Sequence, residues 1–186
     1  MIVLHSAEEF SGQKSVAALG MFDGVHIGHQ KLIRTAVELA KQMDAQSVVC
    51  TFDRHPLSLL KPEYAPEPLL SLEENMAKFE KLGADAVLVQ TFDQQFAAMP
   101  PEDYLEMLVS SLHAKAVVIG ENYTFGSKGR GNAQMVRNLM HQYGYQVHIV
   151  EPVTDAEGLI SSTRIRRMLQ NGEAERAQKL MDIHEF

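Results

Sequence analysis

The stretch V-A-A-L-G-M-F-D-G-V-H-I-G-H, residues 16–29, decides the fold class of this chain. Its first part, Val16–Leu19, is apolar without a break, which predicts a strand buried on both faces of a sheet. The residues from Gly28 to Met43 place their apolar side chains on one face of a helix. A strand that enters a helix through a glycine-rich loop is the opening unit of an α/β fold.

The same alternation of strand and helix continues along the chain. Further strands are predicted at Ser47–Phe52, Ala86–Gln90, Ala116–Gly120, Gln146–Val150 and, as a shorter sixth, Gly158–Ile160. Further helices are predicted at Leu72–Leu82, Pro101–Leu112, Asn132–Tyr143 and Thr163–Leu169. Ser71 and Glu74 have capping-box spacing at the start of one of these helices. This order predicts right-handed crossovers and a doubly wound, Rossmann-like parallel sheet of five to six strands.

Composition narrows the class of protein. Of 186 residues, 45% are hydrophobic and 22% charged, which predicts one soluble globular domain over residues 1–186 and excludes a disordered chain. The 24 acidic residues outnumber the 17 lysines and arginines, and the resulting formal net charge of −7 argues against nucleic acid as a partner. An anionic substrate must therefore meet a local basic cluster or a metal ion.

The chain also lacks the signals of export. The N-terminal residues contain no basic segment followed by an apolar one, and no run approaches the roughly 20 apolar residues that a membrane span needs. Cys50 is the single cysteine and lies in an apolar run, as expected of a buried thiol in a reducing compartment. We therefore expect a cytoplasmic protein without a membrane partner.

The loop Gly20–His29 has the composition of a phosphate site. Its three glycines allow close approach of a ligand to the backbone. His26 and His29, three residues apart at the start of a helix, are expected on one face, where the helix dipole favours an anion. Imidazoles placed there can donate hydrogen bonds to a triphosphate. The alternative is a tight turn with two solvent-exposed histidines.

Two more loops that leave predicted strands contain ligand-binding residue types. T-F-D-R-H-P, residues 51–56, precedes a proline-rich segment and predicts a rigid loop, although His55 could simply cap local backbone. In Gly120–Asn132, Tyr123 and Phe125 can stack on a planar ring while Lys128 and Arg130 meet phosphate, which favours a nucleotide or flavin. The alternative is a glycine-rich hairpin with a solvated basic tip.

The fourth unusual segment is I-S-S-T-R-I-R-R, residues 160–167. Its serines and threonine can cap a helix, and three arginines follow in the opening turns. Positive charge at a helix start is the reverse of what the helix dipole favours, which suggests a bound polyphosphate. A solvated basic helix face is the alternative.

These four segments resemble, in the same order, motifs of the adenylyltransferase module of bacterial bifunctional riboflavin kinase/FAD synthetases, a branch of the HxGH nucleotidylyltransferase superfamily. The family pattern G-x-F-D-G-V-H-x-G-H matches residues 20–29, and T-F-x-P-H-P matches residues 51–56. G-x-[DN]-[FY]-x-F-G matches residues 120–126, and I-S-S-T-x-I-R matches residues 160–166. The resemblance implies an FMN adenylyltransferase, which converts FMN and ATP to FAD and pyrophosphate with Mg²⁺.

The resemblance also implies roles for individual residues. The catalytic residues would be His26, His29, Ser162 and Arg166. The ATP-binding residues would be Gly20, Phe22, Asp23, Gly24, Gly28, Ser161, Thr163 and Arg164. The flavin-binding residues would be Asp53, His55, Pro56, Asn122, Tyr123 and Phe125. No metal ligand among the protein side chains is implied.

The chain departs from the family pattern in two ways. Arg54 stands where the family usually has proline, which adds a cation near the implied flavin phosphate. The family's C-terminal riboflavin kinase domain is not expected within these 186 residues. The residues could be a single-module enzyme, with a separate riboflavin kinase as the source of FMN, or part of a bifunctional one.

Three other functions remain open from the sequence. A related HxGH enzyme could use another acceptor, such as phosphopantetheine, nicotinamide mononucleotide or glycerol phosphate. A noncatalytic flavin or nucleotide carrier could keep the pocket without transfer. A Zn²⁺ site could form from His26, His29 and His55, although no cysteine or H-E-x-x-H pattern supports it.

Overall fold

The computed structural model describes residues 1–183. Strands, numbered along the chain, are β1 (Ile2–Leu4), β2 (Ser15–Leu19), β3 (Gln46–Phe52), β4 (Ala86–Gln90), β5 (Ala114–Gly120), β6 (Thr124–Phe125), β7 (Gly131–Asn132), β8 (Gln146–Val150), β9 (Thr154–Asp155) and β10 (Gly158–Leu159). Helices are α1 (Ile27–Gln42), α2 (Leu57–Leu60), α3 (Leu72–Lys81), α4 (Gln94–Ala98), α5 (Pro101–Ser110), α6 (Ala133–Tyr143), α7 (Ser162–Gln170) and α8 (Ala174–Met181).

The predicted doubly wound sheet is confirmed. Six strands lie in the order β1-β4-β3-β2-β5-β8, and each neighbouring pair is parallel. The chain runs outward from β2 to β3 and β4, then returns to the other side of β2 with β5 and β8. The direction of winding therefore reverses beside β2, and the carboxyl ends of β2 and β5 flank the crevice in which such sheets bind ligands.

The sequence prediction missed the sixth strand of this sheet. Gly158–Ile160 was expected to supply it, but β10 pairs only with β9 in a separate antiparallel hairpin. The edge position is occupied by β1, which pairs with β4. β1 escapes detection because it has three residues, and Ile2 and Val3 are exposed.

Helix ends follow local chemistry. The capping box of Ser71 and Glu74 is formed at the start of α3, and Pro101 occupies the first turn of α5. Asn132 caps α6 by accepting the N–H of Met135 at 3.0 Å, and Gly144 ends that helix with φ of 73°.

Three apolar clusters hold these layers together. One face of the sheet packs on α1 and α3 through residues such as Ile33 and Phe79, and the other packs on α5 and α6 through Leu105 and Val136. The third cluster was not predicted, because the sequence analysis did not identify α8. It joins α7 and α8 through Ile165, Met168, Ala177 and Met181, with Leu69 packed against it.

The third cluster lies against the first loop. A Cβ added to Gly24, whose φ is 82°, would come within 2.8 Å of Leu69 Cδ1 and 3.1 Å of the Met181 sulfur. Gln30, on α1, donates from Nε2 to the carbonyl of Asp182 at 2.7 Å, just beyond α8. The last two helices are therefore fixed to the loop that follows β2. Within residues 1–183, no helix combines the length and apolar character required of a membrane span.

Candidate active site

The loop between β2 and α1 has an unusual backbone. Phe22, Gly24 and Val25 have φ values of 51°, 82° and 42°, in the left-handed region that favours glycine. Phe22 and Val25 are fully buried in the core, and this packing stabilises the costly conformation. Strained backbone of this kind is concentrated at functional sites, and here it leads directly into the two histidines.

The two imidazoles lie against each other. His26 caps α1, because its Nδ1 accepts the backbone N–H of His29 at 3.4 Å. The two rings stack with centroids 3.7 Å apart and planes 18° apart. The ring of Phe22 contacts His29 edge-on at 5.3 Å. The alternative of two solvent-exposed histidines is wrong, since His26 is buried and His29 is partly buried.

Burial keeps both rings neutral at pH 7. It lowers the pKa of His26 to about 4, and burial together with the neighbouring His26 ring holds the pKa of His29 well below its usual range. Since Nδ1 of neutral His26 is an acceptor, its proton lies on Nε2, which is left to donate. His29 Nδ1 is a buried atom without a hydrogen-bond partner among the described residues, as expected of a group that awaits a ligand.

Both histidines line a cavity of about 280 Å³, here called the histidine cavity, at the carboxyl ends of β2, β5 and β8. Its other predicted site residues are Gly20, Phe22, Gly28, Asn122, Tyr123 and Ser161. Pro152, Val153, Leu159 and Ile160 complete one apolar wall. Ser161, the N-cap of α7, thus lies with both histidines at one cavity.

α7 is attached to the first loop by polar contacts. Ser162 Oγ donates to the carbonyl of Asp23 at 2.9 Å. The Arg166 guanidinium forms an ion pair with the Asp23 carboxylate and donates from Nε to the carbonyl of Glu67 at 2.7 Å. Asp23 also accepts the N–H of Leu69 at 2.9 Å. This buried aspartate therefore connects the first loop, the segment before α3 and the arginine-rich helix.

Arg164 has a different environment from Arg166. Its Nη1 and Nη2 donate to the two carboxylate oxygens of Asp155 at 2.8 Å each, and further bonds reach the carbonyl of Gly158 and the carboxylate of Glu157. The positive charge near the start of α7 is therefore balanced in part by protein carboxylates, including Asp23 for Arg166. Our inference that this charge needs a polyphosphate was too strong.

A second cavity, of about 110 Å³ and here called the aspartate cavity, lies next to the first loop and is lined by Asp23, Asp53, Arg54 and His55. His55 Nδ1 accepts the N–H of Leu57 at 3.2 Å, so the local capping role considered from the sequence is present. Burial, and then the nearby Arg166 charge, lower the pKa of His55, while Asp23 acts in the opposite direction.

The Arg54 guanidinium forms an ion pair with the adjacent residue Asp53. Its Nε and Nη2 contact the two oxygens of Asp53 at 3.3 and 3.2 Å. Asp53 also accepts the N–H of Phe92 at 3.0 Å. Burial tends to raise the pKa of Asp53, but the Phe92 N–H and the Arg54 guanidinium bring it below its usual value.

The third cavity has about 760 Å³ and is here called the aromatic cavity. Its rings belong to Phe52, Phe92, Phe96, Tyr104, Tyr123 and Phe125. Phe96 contacts Phe52 and Tyr104 edge-on, with centroids 5.2 and 5.7 Å apart. Such a cavity fits a large planar ring. The sequence analysis identified Pro56, Tyr123 and Phe125 in it but missed Phe92 and Phe96, whose signal was the F-D-Q-Q-F spacing of residues 92–96.

The basic tip of Gly120–Asn132 lies at this cavity. β6 and β7 pair as a short hairpin, as the alternative interpretation expected, and Lys128 lines the cavity with φ of 57°. The hairpin's inner residue Phe125 is nonetheless buried, while Lys128 and Arg130 are exposed. The hairpin with an exposed basic tip is therefore present, and the stacking of Tyr123 and Phe125 on a planar ring stays a prediction.

The structure does not bring all predicted site residues into one cavity. Tyr123 lines both the histidine and the aromatic cavities, whereas Asp53 and His55 line the aspartate cavity. The residues that line none of the three are Gly24, Ser162, Thr163, Arg164 and Arg166. Among residues 1–183, no group of three or more His, Cys, Asp or Glu is arranged to hold a metal ion, so the Zn²⁺ alternative has no support.

Comparison with known proteins agrees with this geometry. A family model described as FAD synthetase matches residues 9–164. The bifunctional riboflavin kinase/FMN adenylyltransferase of Listeria monocytogenes is 38% identical over 187 aligned residues, which cover 97% of this chain and 58% of that protein. A putative bifunctional riboflavin kinase/FMN adenylyltransferase of Geobacillus thermodenitrificans is 34% identical, covering 90% of this chain and 89% of that one.

A solved structure has the same fold. It is described as a macrolide-efflux protein from Streptococcus pneumoniae and superposes with a TM-score of 0.85 at 34% identity. The match covers 97% of this chain and 59% of that one. The chain thus spans a little over half the length of the Listeria protein and of this solved structure.

Proposed function

Because this chain belongs to the FAD synthetase family, we propose that it catalyses adenylyl transfer from ATP to FMN, giving FAD and pyrophosphate. One observation supports this most: a cavity with two stacked, neutral imidazoles lies next to an aromatic cavity, and Tyr123 lines both. The first suits a triphosphate and its base, and the second suits an isoalloxazine ring.

The nucleophile in this proposal is a phosphate oxygen of FMN. A phosphate monoester has its second pKa near ~6 and is mostly dianionic at pH 7, so no general base is required. The oxygen attacks the α-phosphorus, the bond to the β-phosphate oxygen breaks, and pyrophosphate leaves. Catalysis then requires alignment of the two substrates and stabilisation of the charge that develops on phosphorus.

His26 and His29 would provide that stabilisation. The Nε2–H of His26 can donate to an α-phosphoryl oxygen while Nδ1 stays bonded to the helix start. Neutral donors that are fixed before the ligand arrives need no reorganisation during the reaction. His29 lines the same cavity and its ring stacks on His26, so a phosphate bound there would lie beside both rings.

Ser161, Ser162 and Arg166 would hold the leaving pyrophosphate. Ser161 lines the histidine cavity, while the other two contact Asp23, so phosphate binding by them requires a partial exchange of partners. Asp23 keeps Arg166 beside the cavities and limits the charge that is exposed before ATP binds. Gly20, Phe22, Gly24, Gly28 and Thr163 would shape the nucleotide site around them.

Mg²⁺ would accompany ATP in this proposal. It commonly takes most of its ligands from phosphates and water, with one or two carboxylates, and this chain provides no dedicated cage within residues 1–183. Asp23 and Asp53 are the carboxylates that line the aspartate cavity. When bound, Mg²⁺ would neutralise phosphate charge and orient the triphosphate.

The acceptor would occupy the other two cavities. Pro56, Tyr123 and Phe125 belong to the aromatic cavity, where the flavin ring would lie. Asp53 and His55 line the aspartate cavity, which shares Phe52 with the aromatic cavity and Met21 with the histidine cavity. The FMN phosphate would therefore extend from the aromatic cavity, along the aspartate cavity, towards the histidine cavity. Asn122, which lines the histidine cavity, would contact the ribose.

The direct test is incubation of the chain with FMN, ATP and Mg²⁺, followed by chromatography for FAD and an assay for pyrophosphate. Formation of both products in equal amounts is expected. Parallel reactions with phosphopantetheine, nicotinamide mononucleotide and glycerol phosphate test the other acceptors. Tight binding of FMN and ATP without pyrophosphate release would instead identify a noncatalytic carrier.

In cells, a riboflavin kinase activity would supply FMN, and we place the reaction in the cytoplasm.

A further inference from the structure

The hairpin β9–β10 forms a wall of the histidine cavity without a core of its own. It has two paired positions, and the residues from 154 to 159 are exposed. A two-stranded hairpin of this size is not stable by itself in water. Pro152 and Val153 before it, and Leu159 and Ile160 at its end, all line the cavity. Its position therefore decides the shape of that apolar wall.

Arg164 fixes this hairpin to α7. The side chain of Arg164 is 8% exposed and binds both carboxylate oxygens of Asp155 in a fork arrangement. Its remaining contacts reach the Gly158 carbonyl at 3.1 Å and the Glu157 carboxylate at 3.0 Å. Both Nη atoms are fully engaged, so Arg164 has no Nη hydrogen left for a phosphate.

The lining of the histidine cavity combines two kinds of chemistry. The imidazoles and Ser161 supply polar groups, and the hairpin with its flanking residues supplies apolar side chains, including Leu159 with 47% of its surface exposed. A purine base is planar and largely apolar on its faces, whereas a triphosphate needs donors. On the proposed function, the hairpin side would therefore contact the base of ATP.

We infer that Arg164 is a positioning residue for the nucleotide base and does not itself contact ATP. Its bonds to Asp155 hold the hairpin in place, and the hairpin in turn positions the apolar wall of the histidine cavity. This differs from the direct ATP contact expected from the sequence. The two roles predict different effects on phosphate binding when Arg164 is removed. If Arg164 contacts phosphate directly, every polyphosphate should bind more weakly. If Arg164 is a positioning residue, only ligands that contain the base should bind more weakly.

Calorimetry with ATP, AMP and pyrophosphate on the whole chain separates these roles. Arg164→Ala should weaken ATP and AMP binding on the order of tenfold, the effect of losing one charged hydrogen-bonded pair, and leave pyrophosphate binding within about twofold. Asp155→Asn should have the same pattern, because it breaks the same fork from the other side. The double variant should be no weaker than Arg164→Ala.

Two further variants serve as controls. Arg176→Ala removes an exposed arginine that contacts Glu157 and Glu173 but neither Asp155 nor Gly158, so ATP binding should be unchanged. Arg164→Lys keeps the charge but loses the planar fork that binds both oxygens of Asp155, so an intermediate loss is expected. If Arg164→Ala does not fold, Asp155→Asn and Arg164→Lys complete the test, since the Asp155 side chain is 36% exposed.

Loss of pyrophosphate binding in Arg164→Ala, with normal ATP binding in Asp155→Asn, would overturn the inference and restore a direct phosphate contact. Parental affinities in all variants would overturn it as well. This inference rests on the proposed function, and the two can fail separately. A parent chain that binds no ATP contradicts both, whereas a parent chain that binds ATP and makes FAD, with unaffected variants, contradicts only the positioning role.

Discussion

The histidine cavity and the aromatic cavity share Tyr123 but are built in different ways. In the first, backbone with positive φ at Phe22 and Val25 and a cap by His26 fix the polar groups before any ligand is present. In the second, six aromatic rings form a connected series of edge-on, tilted and stacked contacts. Charge stabilisation requires donors at fixed positions, whereas recognition of a flat ring requires mainly area and shape.

The largest expected effect tests the ion pair of Asp23 and Arg166, which fixes the loop of the first cavity to α7. Asp23→Ala removes the acceptor of Leu69 and leaves the Arg166 charge uncompensated, so the free energy of unfolding should fall by about 3–5 kcal/mol. Urea denaturation measures this. Asp53→Ala breaks the more exposed pair with Arg54 and should cost about 1 kcal/mol or less. Equal losses would contradict the distinction between the two aspartates.

The second effect is a pH dependence of the free energy of unfolding, caused by His26 in the histidine cavity. The pKa of folded His26 is lowered to about 4, so the unfolded chain binds an extra proton between about pH 6.5 and pH 4. The stability contributed by the neutral ring is present above pH 6.5 and is lost as pH falls towards 4, on the order of 3 kcal/mol.

His26→Asn isolates this contribution, since asparagine keeps an acceptor for the N–H of His29 but does not titrate. The difference in unfolding free energy between parent and variant should narrow or reverse in favour of the variant as pH falls from 7 to 4. A difference that stays constant with pH would show that His26 titrates normally in the folded chain.

The third effect concerns turnover. His29→Ala should lower kcat on the order of a hundredfold, as expected for loss of one preorganised donor. His141→Ala, on the exposed surface of α6, is the matched control and should turn over like the parent. A kcat for His29→Ala within threefold of the parent would show that the His29 ring does not contribute to catalysis.

A smaller effect is expected in the aromatic cavity, because shape is shared among many rings. Phe96→Leu should raise the Kd for FMN about fivefold, equivalent to about 1 kcal/mol, and leave the Kd for ATP unchanged. Phe96 lines the aromatic cavity and not the histidine cavity. Fluorescence titration with each ligand measures both constants, and a parallel change for ATP would contradict the independence of the two cavities.

The smallest effect is expected at the loop tip of the second cavity. Lys128 is exposed and has φ of 57°, so Lys128→Gly should raise the free energy of unfolding by up to about 1 kcal/mol through relief of backbone strain. Lys115→Gly, in the interior of β5 and also exposed, should instead destabilise the chain. Thermal melting compares the two variants.

The parts that the sequence predicted share a local cause. β2 to β5 each contain an apolar run of three or more residues, since both sheet faces are covered. The glycines and histidines of residues 20–29 form a combination that is typical of a ligand-binding loop. The capping box at Ser71 and Glu74 depends on neighbours three residues apart. These features follow from short-range chemistry and from burial patterns.

The parts that escaped prediction depend on distant partners. An arginine near a helix start looks the same in sequence whether it meets a phosphate or Asp155, so Arg164 was assigned to ATP. β1 becomes a strand only because the edge of β4 is available to it. Phe92 follows β4 and Phe96 lies in the short helix α4, and they share a cavity with Tyr123 only because the fold brings the segments after β4 and β5 together.

The ion pair of Asp23 and Arg166 limits the order in which parts of this chain can fold during translation. The two residues are 143 positions apart. At roughly 5 to 20 residues per second, the aspartate waits on the order of ten seconds for its arginine during translation. The six strands of the main sheet are synthesised before then, so a nascent chain can form this sheet before Arg166 pairs with Asp23.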